Sequence, residues 1–155
     1  MGLEEDIKQK KFKSVYQKAG INLTYTTSFM MNRNMRLLKK FGLTLPQFNI
    51  LRILRGQYPQ ATTVNDLIDR MLDKSSNASR IVEKLRSKKL VERKVCENDR
   101  RAVDVSITKV GLDLLAKIDA VEHEFYFGES TLTEAEAQLL NELLDKGRGA
   151  YENEN

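Results

Sequence analysis

Apolar positions change their period in the middle of this chain. Ala78, Ile81, Val82 and Leu85 recur at i, i+3, i+4 and i+7, which predicts one buried stripe of an amphipathic helix. From Val91 the period falls to two. Val91, Arg93 and Val95 alternate with Glu92, Lys94 and Cys96. After a polar break, Glu97-Asn98-Asp99-Arg100-Arg101, Val103, Val105 and Ile107 alternate with Ala102, Asp104 and Ser106. That pattern predicts a two-stranded hairpin with a basic tip.

The flanking segments read as helices. Residues Met1 to Lys18 form a helical or frayed lead-in, and Gly20 is expected to interrupt or kink it. A longer helix follows over roughly Ile21 to Lys40, closed by Gly42. Thr44-Leu-Pro-Gln47 has the form of a capping box and opens a helix that runs to Arg55 and stops at Gly56. Ile50, Leu51 and Leu54 face inward along it. Tyr58-Pro59 forces a turn. Thr63 with Asp66 three residues on starts a short helix with Leu67, Ile68 and Met71 inward. Asp73-Lys74 is a tight turn, and Ser75 or Ser76 is expected to cap the helix of the first stripe. After the hairpin, Thr108 or Lys109 opens a helix with Leu112, Leu115, Ile118 and Val121 in register, expected to reach about Phe127. A last helix begins at Thr131 or Thr133 and carries Leu139, Leu140, Leu143 and Leu144, with Gly147 and Gly149 fraying its end.

Two helices and a tight turn followed by a hairpin make a winged helix-turn-helix. The expected fold class is mainly α with a small β-wing, flanked by N- and C-terminal dimerisation helices. Residues 43–108 are the expected winged-helix DNA-binding region, and 1–42 and 109–155 the dimerisation helices of one compact subunit. The outer leucine stripes call for another surface. A second copy supplies one and would present two such helices to a pseudo-palindromic duplex.

Charge sharpens this picture. Between Lys74 and Arg101 ten lysines and arginines stand against four acids, whereas from Asp113 onward three stand against eleven. A basic middle beside an acidic tail points to a localised anion-binding surface. Opposite the apolar stripe, Ser75, Ser76, Asn77, Ser79 and Arg80 are the candidates to face bases and phosphates, Asn77 for adenine and Arg80 for guanine or phosphate. Lys84 and Lys88 read as phosphate contacts or plain surface. At the hairpin tip Arg101 and Arg100 are candidates for the minor groove, with Asp99 as an acceptor holding an arginine in place.

Other chemistry finds little support. No apolar run has membrane-spanning length and the start lacks a hydrophobic signal core, so no membrane partner and a cytoplasmic location are expected. Cys96 is the single cysteine, which excludes an internal disulfide. Its neighbours Arg93 and Lys94 favour a thiolate without making a redox sensor. His123 stands alone without ligand spacing. No nucleophile–base pair, glycine-rich phosphate loop or metal cluster is present, so no enzyme activity and no cofactor are expected.

Several segments at matching spacing resemble one family, the MarR-type transcription regulators. Gly42-Leu-Thr-Leu-Pro-Gln-Phe-Asn-Ile-Leu51 is similar to the start of their second helix. The run Leu72-x-x-Ser75-x-x-x-Ser79-Arg80-Ile-Val-x-x-Leu85-x-x-x-x-Leu90-Val-x-Arg93 is similar to their recognition helix and first wing strand. Asp99-Arg100-Arg101 through Thr108, with Gly111, resembles the wing and the entry to the next helix. The resemblance implies a dimer with interlocked terminal helices, an operator of double-stranded DNA, and a repressor that many members release on binding a small aromatic or phenolic ligand. Tyr25, Phe29, Phe48, Phe125, Tyr126 and Phe127 are aromatic candidates for such a pocket or for ordinary core. A winged-helix adaptor, or an architectural DNA-binding protein without an effector, is the alternative. One position departs from the family: Lys89 stands where glycine usually ends the recognition helix, so either the cap is strained or the chain leaves differently.

Overall fold

The computed structural model describes residues 2–95, 103–127 and 131–152. The order is α1 (Leu3–Asp6), α2 (Val15–Lys39), α3 (Leu45–Gln57), β1 (Thr62–Thr63), α4 (Val64–Arg70), α5 (Ala78–Ser87), β2 (Val91–Val95), β3 (Val103–Ile107), α6 (Lys109–Asp119), a 3-10 turn (Glu122–Glu124) and α7 (Glu134–Glu152). The chain divides into two compact units between Asp119 and Ala120.

In the first unit, α3 is the hub and packs against α2, α4, α5, α6 and β3. Its i, i+1, i+4 set Ile50, Leu51 and Leu54 is fully enclosed, together with Leu38 of α2, Leu67 of α4, Val82 and Leu85 of α5, Val91 and Val105 of the sheet, and Leu115 and Ile118 of α6. Burying a side chain of this size contributes about 1.5–3 kcal/mol, so this set stabilises the unit more than any surface pair does. Arg55 adds a clamp from α3 to Asp119 at the end of α6, 2.7 Å long.

Both predicted capping boxes are present. Thr44 Oγ1 accepts from Gln47 N while Gln47 Oε1 accepts from Thr44 N, and Thr63 and Asp66 make the same reciprocal pair. Asp66 is held below the usual carboxylate range, chiefly by the Thr63 hydroxyl and next by its backbone N–H. A third pair, Thr133 with Glu136, opens α7 in the second unit.

The hairpin pairs antiparallel with Val91 opposite Ile107, Arg93 opposite Val105 and Val95 opposite Val103. A short strand that periodicity missed, β1, adds to the other edge of β3 through Thr62–Val105 and Thr63–Asp104. Two residues are too few to show an alternation. The sheet is buried only at its root: Val91, Val105 and Ile107 are in the core, while Val95 is exposed.

Several expected boundaries move. α2 passes straight through Gly20, because one glycine weakens a helix by about 1 kcal/mol without blocking its geometry. α3 likewise continues past Gly56 to Gln57. α6 ends at Asp119 rather than near Phe127. Val121 leaves helical geometry (φ −116°, ψ 16°), and the bonds tighten to a 3-10 pattern through Glu124 N–Val121 O and Phe125 N–Glu122 O. The acids Asp119, Glu122 and Glu124 oppose the negative end of a helix dipole there, which disfavours extension. α7 runs through Gly147 and Gly149 to Glu152 instead of fraying at them.

Candidate nucleic-acid interface

The candidate interface is built by α5 and the turn before it. Its first stripe packs as expected: Ala78, Val82 and Leu85 are buried and Ile81 is half-buried. Ser75, Asn77, Ser79, Arg80 and Lys84 are exposed, and Ser76 is half-buried. The turn is held by Asp73. Its Oδ1 accepts from Ser75 N (3.0 Å) and Ser75 Oγ (2.6 Å), and its Oδ2 accepts from Ser76 Oγ (2.9 Å). These donors, the Ser75 hydroxyl first, hold the Asp73 carboxyl below its ordinary value. Asn49 of α3 fixes the same turn by accepting from Leu72 N at 3.0 Å.

The cap differs from expectation. Neither Ser75 nor Ser76 caps α5, since both hydroxyls are engaged by Asp73. Asn77 takes that position, its Oδ1 accepting from Arg80 N at 3.0 Å. The amide oxygen of Asn77 therefore serves the helix, and its amide nitrogen carries two further donors.

Charge on this face is organised by Glu83. It accepts from Arg86 at 2.6 Å and lies 3.4 Å from Arg93 of β2, which ties the recognition helix to the first wing strand. Arg86, through its hydrogen bonds, lowers the Glu83 carboxyl most, and Arg93 adds to the effect. Sequence spacing gives no signal of this strand link, because Glu83 and Arg93 come together only once β2 folds back along α5.

At the far end of α5 the chain turns through Lys89 with φ +61°, so the left-handed cap is made without glycine. Thr108 secures the exit. Its hydroxyl donates to Lys89 O (2.8 Å), lies 3.1 Å from Leu90 O, and accepts from Gly111 N at the start of α6. A Cβ on Gly111 would stand 2.4 Å from Leu90 O and 2.7 Å from Ile107 Cγ1, so only glycine fits this crossing. Lys88, read from charge as a phosphate contact or plain surface, donates instead to Gly42 O and Gln47 Oε1. Cys96, Asp99, Arg100 and Arg101 lie outside the described residues.

Phe48 is core and Phe29 is exposed, while in the second unit Phe125 is buried and Tyr126 and Phe127 are exposed. Tyr25 lines an open groove of about 440 Å³ together with Ile7, Gly20, Ile21, Thr24 and Ser28. Among the described residues no helix is long and apolar enough to cross a membrane.

Comparison with known proteins agrees with this architecture. A profile described as "MarR family" matches residues 41–102, a span that begins just past α2 and includes α3, α4, α5 and β2. The HTH-type transcriptional repressor IacR of Pseudomonas putida is 32% identical over 111 residues, covering 71% of this chain and 65% of IacR, slightly under two thirds of that relative. The HTH-type transcriptional regulator MhqR of Bacillus subtilis is 32% identical over 111 residues, covering 69% of this chain and 73% of MhqR. The crystal structure of a MarR transcription factor from Planctomyces limnophilus superposes with a TM-score of 0.65 at 28% identity, over 89% of this chain and 98% of that one. With the helix-turn-helix, the paired wing strands and the Thr108–Gly111 crossing in place, this chain belongs to the MarR family.

Proposed function

We propose that this protein is a sequence-specific, double-stranded DNA-binding transcription regulator that acts as a repressor and is released by a small-molecule effector. The observation that carries this is the two-sidedness of α5. Its apolar face is sealed against α3 and α4, and the opposite face exposes Ser79, Arg80 and Lys84 beside Ser75 and Asn77, within a stretch from Lys74 to Arg101 where ten lysines and arginines stand against four acids. Such a helix suits the major groove, and Arg100 and Arg101, assigned from sequence to the minor groove with Asp99 as an acceptor for an arginine, complete the proposed contacts. The repressor sense follows the similarity to IacR.

In this reading residues 43–108 bind DNA, and 1–42 with 109–155 pair two copies on a pseudo-palindromic operator. Exposed apolar residues support the pairing: Val15, Tyr16, Leu23, Phe29, Met31 and Met35 on α2, and Leu139 and Leu143 on α7. The effector is a small aromatic molecule, for which the groove beside Tyr25 falls within the usual volume range of ligand sites. The reading places the protein in the cytoplasm and gives it no catalytic role.

Titration against a palindromic and a random duplex at two salt concentrations tests it. A regulator shows tight, sequence-dependent binding above the salt-dependent background. Binding without sequence preference would indicate an architectural protein, and no binding an adaptor; either result overturns the proposal.

A further inference from the structure

The recognition helix is held to the rest of its unit by two kinds of contact. Val82 and Leu85 bury apolar surface, which is non-directional and permits a helix to slide or rotate by small amounts. Lys88, the C-cap residue of α5, adds a directional contact. Its ammonium donates to Gly42 O at 2.5 Å and lies 3.4 Å from Gln47 Oε1. Gly42 closes α2, where unsatisfied carbonyls gather the negative end of the helix dipole, and a cation is favoured there. Gln47 is the buried half of the box that opens α3 and already accepts from Thr44 N at 3.1 Å. One lysine at the C-cap of α5 thus joins that helix to the end of α2 and the start of α3.

We propose that Lys88 is a positioning residue for DNA reading. It sets the seat of the recognition helix against the end of α2, the helix assigned above to pairing of two copies, and so makes operator specificity depend on how α2 is placed. This rests on the DNA-binding reading. The alternative role for a lysine at this point in a basic helix is a phosphate contact, and the two roles leave different signatures. A phosphate contact weakens all duplexes alike when removed and lowers the salt slope by about one. A positioning contact lowers the preference for the operator over random DNA and leaves the slope on random DNA unchanged.

The experiment measures binding of Lys88→Met, Gln47→Met, the double variant and Gln47→Glu to a duplex selected from a random pool and to random duplex, across a salt series. Melting curves on the same samples confirm folding. Lys88→Met is expected to reduce the operator-to-random ratio about tenfold with an unchanged slope on random DNA. Gln47→Met, altered at a buried side chain, is expected to shift the ratio in the same direction. The double variant should fall no further than the worse single one, because the two groups share one contact. Gln47→Glu keeps an acceptor for both Thr44 and Lys88 and should retain the ratio. A Lys88→Met protein with a slope lower by about one and an unchanged ratio overturns the proposal, as does full additivity of the two substitutions. Absence of any operator preference in the unaltered protein overturns the DNA-binding reading itself, and this inference with it.

Discussion

Gly42 and Lys89 close two different helices by the same backbone move. Both are left-handed, with φ +70° and +61°. At the first, Gly42 N donates to Lys39 O and Leu43 N to Leu38 O; at the second, Lys89 N donates to Arg86 O and Leu90 N to Leu85 O. These paired bonds are those of the Schellman motif, and in each case the leucine that follows and the leucine whose carbonyl it caps are both buried, Leu43 with Leu38 and Leu90 with Leu85. The second site makes it with a side chain that disfavours the left-handed region by about 1 kcal/mol. Lys89→Gly is therefore expected to raise stability by about 1 kcal/mol or less, after the entropy that glycine returns to the unfolded chain. The midpoint of denaturant unfolding checks it, and a midpoint that falls contradicts it.

Gly111→Ala should do the opposite. The new methyl meets a backbone oxygen and a core isoleucine, neither of which can withdraw without moving the β3–α6 corner. Overpacking of this kind destabilises by about 1–3 kcal/mol. Denaturant unfolding of the single variant measures the loss.

Asn77 caps α5, and substitution can separate that role from the base contact proposed for it. Asn77→Ala removes the cap and the amide donors, so stability is expected to fall by about 1 kcal/mol and base preference to relax at one position per half-site. Asn77→Ser keeps a capping oxygen and should retain the melting temperature while relaxing the same base preference. Binding-site selection and melting curves on both variants decide this; Asn77→Ser with unchanged selectivity would remove Asn77 from the reading set.

Leu139 and Leu143 on α7 are more than half exposed, so charging them leaves the fold of one copy intact. If they meet a second copy, the pair Leu139→Lys and Leu143→Lys should yield a folded monomer with weakened operator binding. Light scattering reads the mass, and an unchanged dimer would place the interface elsewhere.

Asp66 links stability to pH. Its folded-state pKa is lowered, first by the Thr63 hydroxyl and next by the Thr63 backbone N–H. A depressed carboxyl adds stability above its unfolded value, near 3.8, and that stability is lost as pH falls through the folded value. Asp66→Ala should thus melt below the unaltered protein at neutral pH, with the gap closing as the pH is taken below that range. A gap that persists in acid would show that the carboxylate charge is not what matters.

Local signals were legible in the residues themselves. The capping pairs Thr44/Gln47 and Thr63/Asp66, the stripe from Ala78 to Leu85 and the alternation through Val91–Val95 and Val103–Ile107 act over a few residues, so spacing alone placed these helices and the wing strands in order, though not every helix end. The departure at Lys89 was visible too, but not which of its two outcomes holds: the left-handed turn forms because Leu90 must enter the core and Thr108 holds the carbonyls beside it. What the tertiary structure decided are choices between equivalent local partners and contacts between distant segments. Ser75, Ser76 and Asn77 are all competent caps, and Asp73 settles the matter by engaging both serines. β1 exists only because β3 offers an edge to Thr62 and Thr63. The Glu83–Arg93 pair needs β2 folded back along α5, and the bond from Lys88 to Gly42 needs α2 and α5 brought together by α3. A cation in a basic segment has the same sequence signature whether it faces phosphate or a helix end. Only the packing of the apolar stripes determines which it meets.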